Sequence, residues 1–324
     1  MVNVYSEDAP QYSTVAKWAA EFNRGRTILE DDPRSGRPAD VITDEIVAKV
    51  QNIITTDRRI KVDEIASECG ISHGSVCNII HERLHMSKVS ARWVPRNLNA
   101  QDRHQRVVSS RELLDIYRAD PENFHARLVT GDETWIHHWD PETKKDSKQW
   151  KNKTSPPPKK FKTQPSAGKI MATVFWDSKG VLMIDYKPPK KTKITGAYWA
   201  DLMKKLRNAI KEKRRGMLTA GVLLLHDNAP AHKRRVAQAA IRECKFEQLN
   251  QPPYSPDLEP SNYYLFRHLK SHLRGTRFAN DDDLIAATEA WFGGQGEDFY
   301  FQGIESLQHK WEKCIQVHGD YIEK

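Results

Sequence analysis

Val222-Leu223-Leu224-Leu225-His226-Asp227-Asn228-Ala229-Pro230-Ala231-His232, and further on Tyr254-Ser255-Pro256-Asp257-Leu258-Glu259-Pro260-Ser261-Asn262-Tyr263-Tyr264, decide the fold. Four consecutive apolar residues at 222–225 suit a short strand buried on both faces, the kind that lies inside a sheet covered by helices. Asp227 and the two histidines then fall in the turn behind that strand, and Asn262 at the start of a later helix. Upstream, Val129-Thr130-Gly131-Asp132-Glu133-Thr134-Trp135 sets Asp132 behind a strand predicted over 126–130. A single aspartate of this kind is more often a turn or capping residue. Two behind strands, with a polar residue opening a facing helix, make Asp132, Asp227 and Asn262 candidates to converge on metal ions, as in enzymes that cut nucleic acid.

Outward from these motifs, residues 119–324 alternate strand and helix patterns. A hairpin is predicted over 169–176 and 181–187, and helices over 196–215, 232–244, 261–274, 282–292 and 303–317. Mixed hairpin and β-α-β order indicates an α/β domain, a mixed sheet flanked by helices. Between strands, residues 140–168 are rich in lysine and proline, with Trp150 and Phe161 interleaved. Lysines such as Lys159 and Lys160 suit a DNA backbone, and an ordinary disordered loop is the competing reading.

The N-terminal third is all-α. Residues 13–24 read as one amphipathic helix, with Ser13 as its cap and Val15, Trp18, Ala19 and Phe22 as its stripe. Residues 29–42 hold Pro33-Arg34-Ser35-Gly36-Arg37-Pro38, an extended segment whose Arg34 and Arg37 suit an A/T-rich minor groove as well as an ordinary linker. Residues 43–85 read as three short helices with a glycine turn before the third, the helix-turn-helix plan. Ser72, His73, Ser75 and Asn78 are the candidate DNA contacts, Asn78 having the amide that pairs with adenine. A three-helix protein-binding module is the alternative. Residues 86–118 join the halves.

Composition agrees with a polyanionic partner: 51 Lys+Arg against 43 Asp+Glu give a formal charge of +8 and a pI near 9.1. The four cysteines are far apart in pairs with no C-x-x-C spacing, so free thiols in a reducing compartment are expected. No apolar run approaches the length of a membrane span, and residues 1–15 lack a signal-peptide stretch; cytosol or nucleus follows.

Taken together, Trp93-Val94-Pro95, residues 129–135, 226–232, 254–266, Trp311-Glu312-Lys313-Cys314 and Gly319-Asp320-Tyr321 resemble the mariner family of DNA transposases. The resemblance implies an RNase H-like catalytic domain over 119–324, with 140–168 as a loop that clasps a partner subunit. It implies two helix-turn-helix modules, residues 43–85 being the second and residues 1–28 the remnant of the first, whose two leading helices are absent. It further implies a nuclear homodimer that binds double-stranded DNA at terminal inverted repeats and rejoins the element at a TA dinucleotide using two Mg²⁺ or Mn²⁺ ions. Thirty-four residues lie between Asp227 and Asn262, the family's spacing, but the family has aspartate at the last position. A neutral amide gives an ion less electrostatic hold, so impaired cleavage with DNA binding kept is expected, the alternative being a non-catalytic sequence-specific DNA-binding protein. Asp257 and Glu259 lie close by but start from other backbone positions, which argues against their replacing a ligand that must be placed to about half an ångström.

Overall fold

The computed structural model describes residues 10–28, 30, 42–91, 93–144, 146–152, 154–156, 158–159, 163–187 and 194–322. Arg34, Arg37 and Lys160, and most of the expected linker at 29–42, lie outside the described residues. The chain divides into two compact units, Met1–Arg92 and Trp93–Lys324.

In the first unit, α1 (Tyr12–Asn23) starts one residue before Ser13, with Gln11 at its N-cap and no side chain capping it. None of its residues is buried, and Tyr12, Trp18 and Phe22 stay exposed. Helices α2 (Asp44–Thr56), α3 (Val62–Cys69) and α4 (His73–Asn78) follow, and α4 continues into a π-helical turn at Ile79–Arg83. Each boundary has a local cause. The Thr43 hydroxyl accepts from the Ile46 N–H, with Asp44 and Glu45 in the positive first turn. Gly70 closes α3 in the left-handed region at φ 66°, and Ser72 caps α4 by accepting from the Ser75 N–H at 3.1 Å. Val50, Ile65, Val76 and Ile79, one or two from each helix, form the buried centre that none of these short helices could make alone.

The second unit opens with α5 (Ala100–Ala119) and α6 (Pro121–Arg127). The strand expected at 126–130 begins later, because Asp120 caps α6 through the Asn123 N–H and Pro121 presets its first turn. β1 then runs Leu128–His137, so Asp132 lies within the strand rather than behind it. β2 (Lys169–Asp177) and β3 (Gly180–Lys187) form the hairpin. After α7 (Gly196–Lys213) and α8 (Met217–Ala220) come β4 (Val222–Leu225), α9 (Arg235–Glu243) and β5 (Phe246–Gln248). The chain ends with a 3₁₀ turn at Pro256–Leu258, a π-helical turn at Ser261–Leu265, α10 (Phe266–Leu273), α11 (Asp281–Gly293) and α12 (Glu297–Gln316).

The sheet order is β3-β2-β1-β4-β5, antiparallel across β3, β2 and β1 and parallel across β1, β4 and β5. Side-chain alternation divides the strands between two cores. Leu223 and Leu225 join Ala172, Val174 and Trp176 against α10, α11 and α12, while Val222 and Leu224 join Val129 and Phe175 against α7 and α9. The wholly apolar β4 is the sequence mark of a strand covered on both sides. No described helix is long and apolar enough to cross a membrane.

Candidate functional site

β1 and β4 run parallel, Thr130 level with Leu225, and two residues beyond each come Asp132 and Asp227. Both therefore lie toward the same carboxyl end of the sheet, where open α/β sheets bind ligands. Beside Asp132, Gly131 is required by close packing: a Cβ there would stand 2.3 Å from the ring of its cross-strand partner Phe175. Asn262 arrives from the π-helical turn at Ser261–Leu265, whose first hydroxyl accepts from the Trp176 indole N–H at 3.1 Å. The Asn262 amide donates to Asp132 Oδ2 at 2.6 Å and to Glu259 Oε2 at 2.7 Å. Glu259 is 3% exposed, and its Oε1 has no hydrogen-bond partner.

The histidines organise the other side. His232 Nδ1 lies 2.7 Å from Asp227 Oδ1, which also accepts the Ala229 N–H at 3.0 Å. Glu133 Oε1 is 3.4 Å from His232 Nε2, near enough for charge attraction but not aligned as a hydrogen bond. The His232 ring stacks on Trp199, and the Asn228 amide donates to the Gln251 carbonyl, tying this turn to the segment that leads toward Asn262.

Electrostatics separate the carboxylates. Burial, then the charges of Glu133 and Asp227, drive Asp132 well above the usual carboxylate range. Burial, then Asp132 and Asp227, does the same to Glu259. Burial also works against Asp227, but the His232 hydrogen bond and charge outweigh it and its pKa falls. His226, pushed by burial to about 4, is neutral at physiological pH; its Nδ1 bonds to the Asp227 carbonyl at 2.7 Å. Burial opposes charge on His232 too, yet Asp227 and Glu133 raise it to about 9.

These donors fit a hard divalent cation. Asp132, Asp227 and Glu259 present oxygen only, the Glu259 Oε1 is orphaned, and the buried Asp132 and Glu259, which share the Asn262 amide, repel each other when both are charged. Among the described residues, the three whose ligand atoms all lie within 4.8 Å of one another are instead His226, Asp227 and His232, a group that Asp132 and Glu259 do not join. A protonated His232 opposes a cation there, so that trio is better described as an ion-paired support for Asp227.

The His232 pairing has a pH signature. Its pKa is raised on folding, so its contribution is fully present below about pH 6.5 and lost as pH rises toward about 9. In EDTA, urea unfolding of the parent is expected to lose on the order of 2–3 kcal/mol more than His232→Gln between those pH values. Parallel profiles for the two proteins would remove this ion pair.

The sequence pointed to Asp132, Asp227 and Asn262, set Glu259 aside for its different backbone position, left His226 and His232 between a phosphate contact and a packing or capping role, and gave no sign of Lys270, a half-buried lysine whose pKa burial lowers. In the first unit, His73 and Asn78 are exposed on α4, whereas the Ser72 and Ser75 hydroxyls are occupied with each other and with the cap. Lys159 is exposed in the basic loop, as is Trp150.

The family model described as transposase, partial DDE domain, matches residues 140–220, a span that contains none of Asp132, Asp227 or Asn262. Histone-lysine N-methyltransferase SETMAR of Homo sapiens is 32% identical over 322 residues, 99% of this chain, which spans 46% of that protein. The Mariner Mos1 transposase of Drosophila mauritiana is 31% identical over 328 residues, covering 100% of this chain and 91% of the relative. The crystal structure of the mariner Mos1 paired end complex with Mg superposes with a TM-score of 0.75 at 29% identity, over 99% of this chain and 92% of that one. The mixed sheet and its helices are thus the RNase H-like arrangement expected from the resemblance. With similarity running end to end in both sequence and fold, the chain belongs to the mariner transposase family.

Proposed function

We propose that the chain binds the terminal inverted repeats of a mobile DNA element, and cleaves and joins strands at its ends by two-metal phosphodiester hydrolysis and transesterification, at a rate held down by Asn262. The observation that carries this reading is the convergence of Asp132, Asn262 and Glu259, beside the Asp227 turn at the same end of the sheet. Asp132 and Asp227 hold the ions, with Asn262 as a neutral neighbour of Asp132. When bound, two Mg²⁺ or Mn²⁺ ions activate water and stabilise the leaving oxygen. His232 fixes the Asp227 carboxylate, whose side chain is 40% exposed and so open to a DNA phosphate. The Mg-containing paired-end complex of the Mos1 relative supports both the cation and DNA ends as partners.

End recognition falls to α4, with exposed His73 and Asn78 toward base edges and the Ser72 and Ser75 turn near the backbone; the TA target, the nuclear location and the homodimer belong to the same reading. The unburied stripe of α1 and the exposed Trp150 support a partner subunit as their cover. A second reading, a sequence-specific DNA binder without chemistry, is favoured by one observation, the neutral amide at 262.

Nicking of supercoiled plasmid in Mg²⁺ and then Mn²⁺ tests the two. The parent is expected to nick slowly, and Asp132→Ala to lower that rate at least about a thousandfold. Equal rates for parent and Asp132→Ala would sink the catalytic reading; a footprint on inverted repeats without any nicking would establish the second.

A further inference from the structure

Asn262 has two amide N–H donors, and both are used: one on Asp132 Oδ2, the other on Glu259 Oε2. In this arrangement its nitrogen, not its carbonyl oxygen, faces the carboxylates, so it acts as a clasp. Glu259 is the more unusual member. It is buried, its Oε1 lacks a partner, and its one side-chain hydrogen bond comes from a neutral amide. A purely structural acceptor there would be served by a neutral side chain, since burying a carboxylate with so little compensation is costly.

The backbone holds it firmly. Pro260 follows at φ −57°, the Glu259 carbonyl accepts the N–H groups of Asn262 and Tyr263 at 3.0 Å, and the preceding Leu258 is fully buried. Upstream, Ser255 and Asp257 are gripped by Arg106. Glutamate is one methylene longer than aspartate and starts one helical turn earlier, and the outcome is a second carboxylate converging on the amide that meets Asp132. Carboxylate oxygens converging from separate elements are what a divalent cation binds.

We propose that Glu259 supplies the third metal-binding carboxylate that Asn262 cannot, with Asn262 as the positioning residue that holds Glu259 beside Asp132. The assignment rests on Asp132 and Asp227 holding divalent cations, as proposed above. It separates metal binding, kept through Glu259, from strand cleavage, slowed because the third carboxylate starts from another backbone position.

The test is Mn²⁺ binding to the full chain, followed by the EPR signal of free Mn²⁺ and by melting temperature with and without the ion. Glu259→Gln is expected to weaken Mn²⁺ binding at least about tenfold and to remove the Mn²⁺-induced rise in Tm. Its metal-free Tm is expected to rise by about 2–5 °C, because an acid that is costly to bury has been replaced by a neutral amide. The double variant Glu259→Gln with Asn262→Asp, which returns a carboxylate to 262, is expected to regain the affinity and is read in its place if Glu259→Gln does not melt cooperatively. Unchanged Mn²⁺ affinity in Glu259→Gln, with weakened binding in Asp132→Asn, would overturn the role of Glu259 and leave the metal site standing. Unchanged binding in both would overturn the two together. A double variant that stays weak also counts against the proposal.

Discussion

Asn262→Asp is expected to be less stable than the parent by about 2–4 kcal/mol in EDTA, and to recover that loss in saturating Mn²⁺ while nicking plasmid DNA roughly tenfold faster. The metal-free loss follows from donor counting. The amide gives one N–H to Asp132 and one to Glu259. A carboxylate gives neither, and it adds a third acid to two whose pKa values burial and mutual repulsion already hold high. Lowering the pH is therefore expected to rescue the variant. Protonation of groups whose pKa is raised on folding favours the folded state, and that favour disappears as pH climbs through the raised values. Divalent cations do the same work at neutral pH by neutralising the cluster. Urea unfolding with EDTA or Mn²⁺ checks the stability arm, and a nicking time course the catalytic one. A variant as stable as the parent in EDTA would mean that the amide does not bridge two buried acids.

How much of this was legible in the sequence depended on whether a feature was local. β4 was readable because burial on both faces requires an unbroken apolar run, and the hairpin because its strands and turn are contiguous. The Ser72 cap and Gly70 turn were readable for the same reason. The misplaced start of β1 came from competition: Asp120 and Pro121 set up a helix that absorbs residues a strand pattern would claim. β5 is three residues with a single buried side chain, too short for any periodicity. Within the site, Asp132, Asp227 and Asn262 could be named from the strand and helix patterns beside them and from the family resemblance, but not the partners that define their charge. The link from His232 to Glu133, and the meeting of Asn262 with Asp132, are formed only by folding across about a hundred residues or more. Glu259 was set aside because its backbone position differs from that of 262; side-chain length and a helical turn compensate, which a count along the chain does not reveal.

Arg106→Met is expected to cost about 3–5 kcal/mol of stability. The guanidinium is fully buried and every N–H has a partner: Gly319 O at 2.8 Å, Ser255 Oγ at 2.6 Å, Asp257 Oδ1 at 2.9 Å and Oδ2 at 2.7 Å, and Asp320 O at 3.2 Å. One side chain of α5 thus fastens the turn leading to Glu259 and Asn262 to the C-terminal segment after α12. That segment lies close because Gly319 adopts φ +81°, with a Cβ there standing 2.1 Å from the Arg103 carbonyl. Asp257 Oδ2 also accepts the Ile322 N–H at 3.0 Å. Methionine fills part of the volume but leaves Asp257 as a buried charge without its cation, which is where most of the loss arises. The double variant Arg106→Met with Asp257→Leu removes that orphaned charge and is expected to recover at least half of the stability in urea unfolding, while Mn²⁺ binding stays weakened because the turn before Glu259 has lost its anchor. If both variants bind Mn²⁺ as the parent does, the turn is held by the packing of Leu258 and Leu265 alone, and Arg106 contributes to stability without shaping the site.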